Sequence, residues 1–302
     1  MSGIEAFFAF ARERYEIFRR RRADGYAIAK GEAPQGPPWT DDPVLREFRF
    51  CNIFREDDRV TQWMRRALSH PLGTDTERQI RAAVVFRWFN KIETGELLKP
   101  LLLGDWDTEE ARRLLKERVA QGQTILGPAY MIKSPLRMNK VDGLLQCIDA
   151  VNADIPHLAA HIEPYETTLE GFHEVLCGYP YLGPFMAYEM VTDLRRSPVL
   201  CTAPDIRTWA SAGPGAARGI ARVFNLPLGT YNHGSARDRA CMNDRMRELL
   251  SCSEQPDLWP ADWPRWEMRE VEHTLCEFDK YERARLGEGR PKQRFAPHNA
   301  GD

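Results

Sequence analysis

A chain of 302 residues with 43% hydrophobic and 28% charged residues is long enough to bury a substantial core and too apolar to be disordered throughout. Its formal net charge of −2 excludes a globally basic nucleic-acid binder, so any polyanion has to be met by a local cluster of Lys and Arg. No apolar run reaches the roughly 20 residues of a membrane span, and the FFAF near the start is followed at once by charges, so no signal peptide, no membrane partner and a cytoplasmic location are expected.

Helical periodicity dominates the chain. Residues 4–22 read as an amphipathic helix ending in Arg19 to Arg22, residues 23–42 as a Gly/Pro-rich connection, and residues 43–69 as a long charged helix or pair of helices. Further helices are expected over 75–93, 107–121, 138–151, 167–177, 184–196, 215–224, 235–251 and 265–285, punctuated by Pro and Gly. Alternating β-branched runs are nearly absent apart from a turn or bridge around Ser197 to Thr202, which predicts an all-α fold. No internal repeat is visible, and the closing GEGRPKQRFAPHNAGD reads as a basic, poorly ordered tail. The seven cysteines (Cys51, Cys147, Cys177, Cys201, Cys241, Cys252, Cys276) are scattered and never form C-x-x-C, so they indicate neither a disulfide framework nor a zinc or iron–sulfur site. No metal and no cofactor is expected.

Four stretches carry possible chemistry. In TTLEGFHEVLCGYPYLGPFMAYEMVTDL, Gly183 and Pro184 open a second helix after a tight turn, with Met186, Ala187, Met190, Val191 and Leu194 as its apolar stripe. The turn offers backbone N–H groups to an anion, or it is a structural hairpin only. In CNIFREDDRV, helical spacing places Asn52, Arg55 and Arg59 on one face with Asp58 beside Arg55, interleaved with Phe50, Ile53 and Phe54. That set suits a phosphate or a base edge, or forms a solvated face with an ion pair. Gly213, Gly215 and Gly219 around Pro214 could cradle phosphate or let two helices pack closely, and the absence of G-K-[ST] there argues against a nucleotide P-loop. CEFDKYERAR carries Glu277, Asp279, Lys280 and Arg283; Lys280 and Arg283 could contact phosphate and Glu272 and His273 face the site, or these charges form ion pairs on an exposed helix. WPADWPRW reads as a loop anchored onto a helical core. Arg19 to Arg22, Arg65, Arg66, Arg195, Arg196, Arg218, Arg222 and Lys133 are further basic candidates for a DNA-facing surface.

The hairpin is followed by RRSPVLCTAPDIRTWA, with Asp205 twenty-two positions after Gly183, and here the chain resembles the helix-hairpin-helix superfamily of DNA glycosylases. Tyr181 or its neighbour stands at the first hairpin glycine of that motif, and Phe185 stands where bifunctional members carry a Schiff-base lysine, so lyase chemistry is not implied. RFCNIFREDDRVTQWM (49–64), DIRTWASAGPGAARGIARVF (205–224) and EVEHTLCEFDKYERARLGEG (270–289) together resemble the phage and bacterial α-glutamyl/putrescinyl thymine pyrophosphorylases, or amino acid:DNA transferases. That family shares its helical domain with the 5-hydroxymethyl-deoxyuridine DNA kinases.

The resemblance implies thymidine hypermodification on double-stranded DNA: an amine or amino-acid co-substrate displaces pyrophosphate from 5-pyrophosphoryloxymethyluracil, in functional coupling to a DNA base kinase, in a phage-infected or bacterial host cell. It implies a basic helix and linker over 1–42, a helix-hairpin-helix glycosylase-like catalytic domain over 43–286, and a tail over 287–302. Catalytic roles fall to Asp205, Asn52, Arg55 and Asp58, with Asp205 activating the amine unless it merely caps a DIRTWA helix. Phosphate binding falls to Arg59, Gly213, Gly215, Arg218 and Lys280, and DNA contact to Gly183, Pro184 and Lys133. A monofunctional glycosylase and a noncatalytic DNA-binding partner of a kinase are the alternatives.

Overall fold

The computed structural model describes residues 2–23, 39–128 and 132–294, and these are helical apart from turns and one isolated antiparallel bridge, Phe48 with Arg294. The all-α expectation holds. The helices are α1 (Gly3–Ala23), α2 (Pro43–Glu47), α3 (Arg59–Met64), α4 (His70–Leu72), α5 (Thr76–Phe89), α6 (Ile92–Leu103), α7 (Thr108–Ala120), α8 (Lys140–Asn152), α9 (Ile155–Ala160), α10 (Leu169–Cys177), α11 (Pro184–Leu194), α12 (Pro214–Val223), α13 (Ala236–Cys252) and α14 (Met268–Arg285). Their starts follow local rules. Asp42, Asp75, Asp107, Asn139, Thr168 and Ser235 each accept backbone N–H groups of the first turn, and Pro occupies the first turn of α2, α11 and α12.

The long charged helix or pair of helices expected over 43–69 forms as two separate helical segments rather than one long helix. Phe48 leaves α2 in an extended conformation, residues 49–54 are irregular, Arg55–Asp57 is a single 3₁₀ turn, and helix resumes only at Arg59, with a π-helical turn at Arg65–Ser69. Phe50, Ile53 and Phe54 are buried, so their i, i+3, i+4 spacing imitates a helix stripe while serving a packed loop. Helices α4, α6 and α9 were not foreseen. In α6, Gly95 and Pro100 read as breakers, but a Cβ at Gly95 would collide with the Trp63 ring and Pro100 is tolerated inside the helix. Asn90 ends α5 in the left-handed region at φ 44°, which separates it from α6. Ser197 to Thr202 form turns rather than a bridge.

Two compact units make up the chain, residues 1–59 with 207–302 and residues 60–206. In the first, α1 packs on α12 and α14, and its Phe7 and Phe8 lie edge-on or tilted against Trp266, with Phe7 also against Phe278. Trp259 and Trp266 are buried, and Trp259 Nε1 donates to the Pro264 carbonyl at 2.9 Å, so the Trp-Pro loop anchors onto the helical core as read from sequence. In the second, α5 is buried from Ala82 to Phe89 and packs on α6, α8, α9 and α11, while α10 and α11 pack on each other. Residues 24–38 of the expected connection and 295–302 of the expected tail lie outside the described residues. The described part of the tail meets the fold where Arg49 N–H donates to the Gln293 carbonyl at 3.1 Å.

Candidate functional site

Within the first unit, the loop 49–58 is pinned between α1 and α14. Arg14, 5% exposed on α1, donates through Nε and Nη2 to the Phe50 carbonyl at 3.2 and 3.0 Å, and through Nη2 to Asn52 Oδ1 at 2.6 Å. Asn52 Nδ2 in turn donates to the Asp57 carbonyl at 3.1 Å. Both ends of the Asn52 amide therefore shape the loop. From α14, Glu277 Oε2 accepts the Cys51 N–H at 2.8 Å and the Lys280 ammonium at 2.7 Å, and that ammonium lies 4.6 Å over the Phe50 ring. Arg55 is buried in the 3₁₀ turn, Asp58 is half-buried after it, and Arg59 is exposed at the first position of α3, so no common helix face joins Asn52, Arg55 and Arg59.

Electrostatics mark this neighbourhood. Burial alone would raise Glu277, but the charges of Lys280 and His273 and the hydrogen bonds from Lys280 and the Cys51 N–H hold it below the usual carboxylate range. Asp57 is pushed up to about 6 by desolvation and by the charge of Glu56, against the opposing pull of Arg22 and Arg14. Cys51 and Cys276 expose surface, yet the protein packed about their sulfurs raises both thiols, Cys51 to about 12, with Glu277 adding to the desolvation. Neither is a thiolate at neutral pH, so neither supplies a nucleophile.

The start of α12 joins the same region. A Cβ on Gly215 would collide with the Cys276 sulfur and one on Gly219 with the Leu275 carbonyl, so these two glycines serve the close packing of α12 on α14. Gly213 is the N-cap residue, in ordinary extended backbone with open space at its Cβ position. One turn on, Arg218 and Arg222 reach the buried Asp279 of α14. The structure thus gathers Asn52, Asp58, Gly215, Arg218 and Lys280 around α14 in one unit.

The second unit holds the remaining expected residues. Asp205 accepts the Leu169 N–H at 2.7 Å and the Glu170 N–H at 3.0 Å, so its carboxylate caps α10 from a distance. DIRTWA is a set of turns and not the helix that Asp205 was alternatively expected to cap. Gly183 and Pro184 open α11 after a turn from α10, His173 Nε2 is 3.0 Å from the Pro184 carbonyl, and Tyr181 and Phe185 beside them are 47% and 57% exposed. Met186, Ala187, Met190, Val191 and Leu194 are buried as expected, and Lys133 is exposed before α8. An open polar cleft of about 590 Å³ between the start of α5, Asp105 and α9 involves none of the expected residues.

Sequence reasoning missed a buried ion pair. Arg87 of α5 grips Asp193 of α11 with Nε and Nη2, the latter at 2.8 Å, and also donates to Asn90 Oδ1 at 2.7 Å and Thr61 Oγ1 at 3.1 Å, with both charged side chains at most 2% exposed. The signal was a lone arginine inside the apolar run AAVVFRWF. The Tyr179 hydroxyl bond to Asp154, which ties the α10–α11 turn to the start of α9, was missed as well.

A family model described as "5-hmdU DNA kinase, helical domain" matches residues 2–290. The chain is 27% identical over 249 residues to a 5-hmdU DNA kinase of Bacillus phage SP10, an alignment covering 76% of this chain. It spans only 37% of that relative's length. No solved structure matches. With its motifs spread over both units and the match running nearly end to end, the chain belongs to the family of the 5-hmdU DNA kinase helical domain.

Proposed function

We propose that this chain acts in thymidine hypermodification, binding DNA at a nucleotide derived from 5-hydroxymethyluracil and exchanging pyrophosphate for an amine at the exocyclic methylene. The family match over residues 2–290 supports a place in thymidine hypermodification, and the amine exchange is what the motif resemblance over 49–289 implies. The polar neighbourhood around α14 supports its chemistry, since a carboxylate held ionised, an ammonium and several guanidinium groups lie there together. In the reaction the amine nitrogen bonds to the methylene carbon, the carbon–oxygen bond to pyrophosphate breaks, and a carboxylate takes the ammonium proton. Asp57, raised to about 6 and adjacent to Asp58, suits that proton transfer better than Asp205, whose oxygens already hold two backbone N–H groups. Arg55, Arg59, Arg218, Lys280 and the start of α12 at Gly213 serve the departing pyrophosphate.

In this reading residues 43–286 form a helix-hairpin-helix glycosylase-like body, the α10–α11 hairpin with Gly183 and Pro184 meets the DNA backbone together with Lys133, and the target base is extruded. A second reading, a noncatalytic helical module that presents the base to a kinase, is favoured by the relative being a kinase that this chain matches over part of its length. Mass spectrometry of nucleosides from DNA carrying 5-pyrophosphoryloxymethyluracil, incubated with the protein and a pool of amino acids and polyamines, separates them. A new thymidine adduct supports transfer. Free base with abasic sites means a glycosylase, and unchanged DNA that is nevertheless bound means the module.

A further inference from the structure

Three arginines converge on one buried carboxylate. Arg218 Nε donates to Asp279 Oδ2 at 2.9 Å and Arg222 Nε to Oδ1 at 2.9 Å, while Asp279 itself is 0% exposed. Arg283 Nε lies 3.3 Å from Oδ2 without hydrogen-bond geometry. Arg222 is balanced by a second carboxylate, Glu288. Arg218 and Arg283 share what remains of a single negative charge, leaving an excess of positive charge on side chains 37% and 41% exposed.

Orientation gives that charge a direction. Both guanidinium groups approach Asp279 with Nε, and among the described residues no hydrogen bond occupies their Nη groups, so the outer Nη–Nη edge of each is open to a ligand. A guanidinium edge fits a phosphoryl oxygen pair, and side chains already fixed by a buried carboxylate lose little further freedom on binding. We propose that Arg218 and Arg283, positioned by Asp279, form a clamp for one phosphoryl oxyanion. The candidate sources are a DNA phosphodiester and pyrophosphate; the clamp rests on the DNA-modification reading only for this choice of ligand class.

The test measures binding of two probes, a short duplex carrying one 5-hydroxymethyluracil across a salt series and inorganic pyrophosphate by calorimetry, to the wild-type chain and to Arg218→Gln, Arg283→Gln and the double variant. Arg283→Gln removes one partly exposed ion pair to Asp279 but no hydrogen bond to a described residue, so its Tm should fall by no more than a few degrees and the variant stays folded for the binding test. The double variant should bind at least one probe about tenfold more weakly. If the duplex is that probe, the slope of log K against log salt should fall by about 1, as for one lost phosphate contact. Weakening with duplex alone identifies a phosphodiester, and with pyrophosphate alone the leaving group. Variants that bind both probes like wild type overturn the clamp and leave the DNA reading standing. Wild-type binding of pyrophosphate but of no duplex overturns the DNA reading instead, and binding of neither overturns both.

Discussion

At the scale of single residues, Asp57 and Asp205 invert what their sequence positions imply. Asp57 sits unremarked beside Asp58, yet its folded pKa is raised to about 6. A carboxyl raised on folding binds its proton more tightly in the native state, so stability is greatest below the unfolded value near 4 and declines as pH rises towards 6. Asp57→Asn should therefore flatten that decline and stabilise the chain above pH 6 by up to about 2 kcal/mol, while abolishing amine transfer if Asp57 is the base. Urea unfolding at pH 4.5 and 7.5 beside the adduct assay reads both effects. Asp205→Ala, by contrast, leaves two N–H groups of α10 without their acceptor and should cost about 1–2 kcal/mol in unfolding free energy. The Arg87–Asp193 pair sets a larger scale: Asp193→Asn strands a buried guanidinium and should destabilise by about 3 kcal/mol or more, seen as a lower urea midpoint.

At the scale of elements, caps and prolines made most helices legible. The starts of α7, α10, α11 and α12 fall within two residues of expectation because Asp107, Thr168, Pro184 and Pro214 mark them directly. The stretch 48–58 was not legible, because its conformation depends on Arg14 and Glu277, partners remote in sequence that no local pattern displays. The polar cluster was half legible for the same reason: Asn52, Asp58, Arg218, Glu277, Asp279 and Lys280 were picked out by type, whereas the burial of Asp279 and the partners that it and Glu277 hold became visible only once α12 and α14 were packed. The glycines show the point sharply. Gly215 and Gly219 permit close helix approach, and their substitutions should differ, since Gly219→Ala drives a methyl into the Leu275 backbone while Gly215→Ala meets the Cys276 side chain. Gly219→Ala should cost about 1–3 kcal/mol and lower Tm by several degrees, with Gly215→Ala milder.

At the scale of the whole molecule, the chain passes between its two units at residues 59–60 and 206–207, and the motifs over 49–64 and 205–224 both contain a crossing. Residues of the same motif thus belong to different cores. Family membership covers both units, while the relative of known name is longer than the matched region. A net charge of −2 makes any DNA contact local, consistent with guanidinium groups concentrated around α12 and α14. The central claim is that this chain distinguishes a 5-hydroxymethyluracil-derived nucleotide in DNA, and competition binding tests it most directly. Short duplexes identical except for one thymine, 5-hydroxymethyluracil or 5-pyrophosphoryloxymethyluracil would compete for the protein at fixed salt. The account predicts that a modified duplex binds at least about tenfold more tightly than the thymine duplex; equal affinity for all three, or no binding to any, would contradict it.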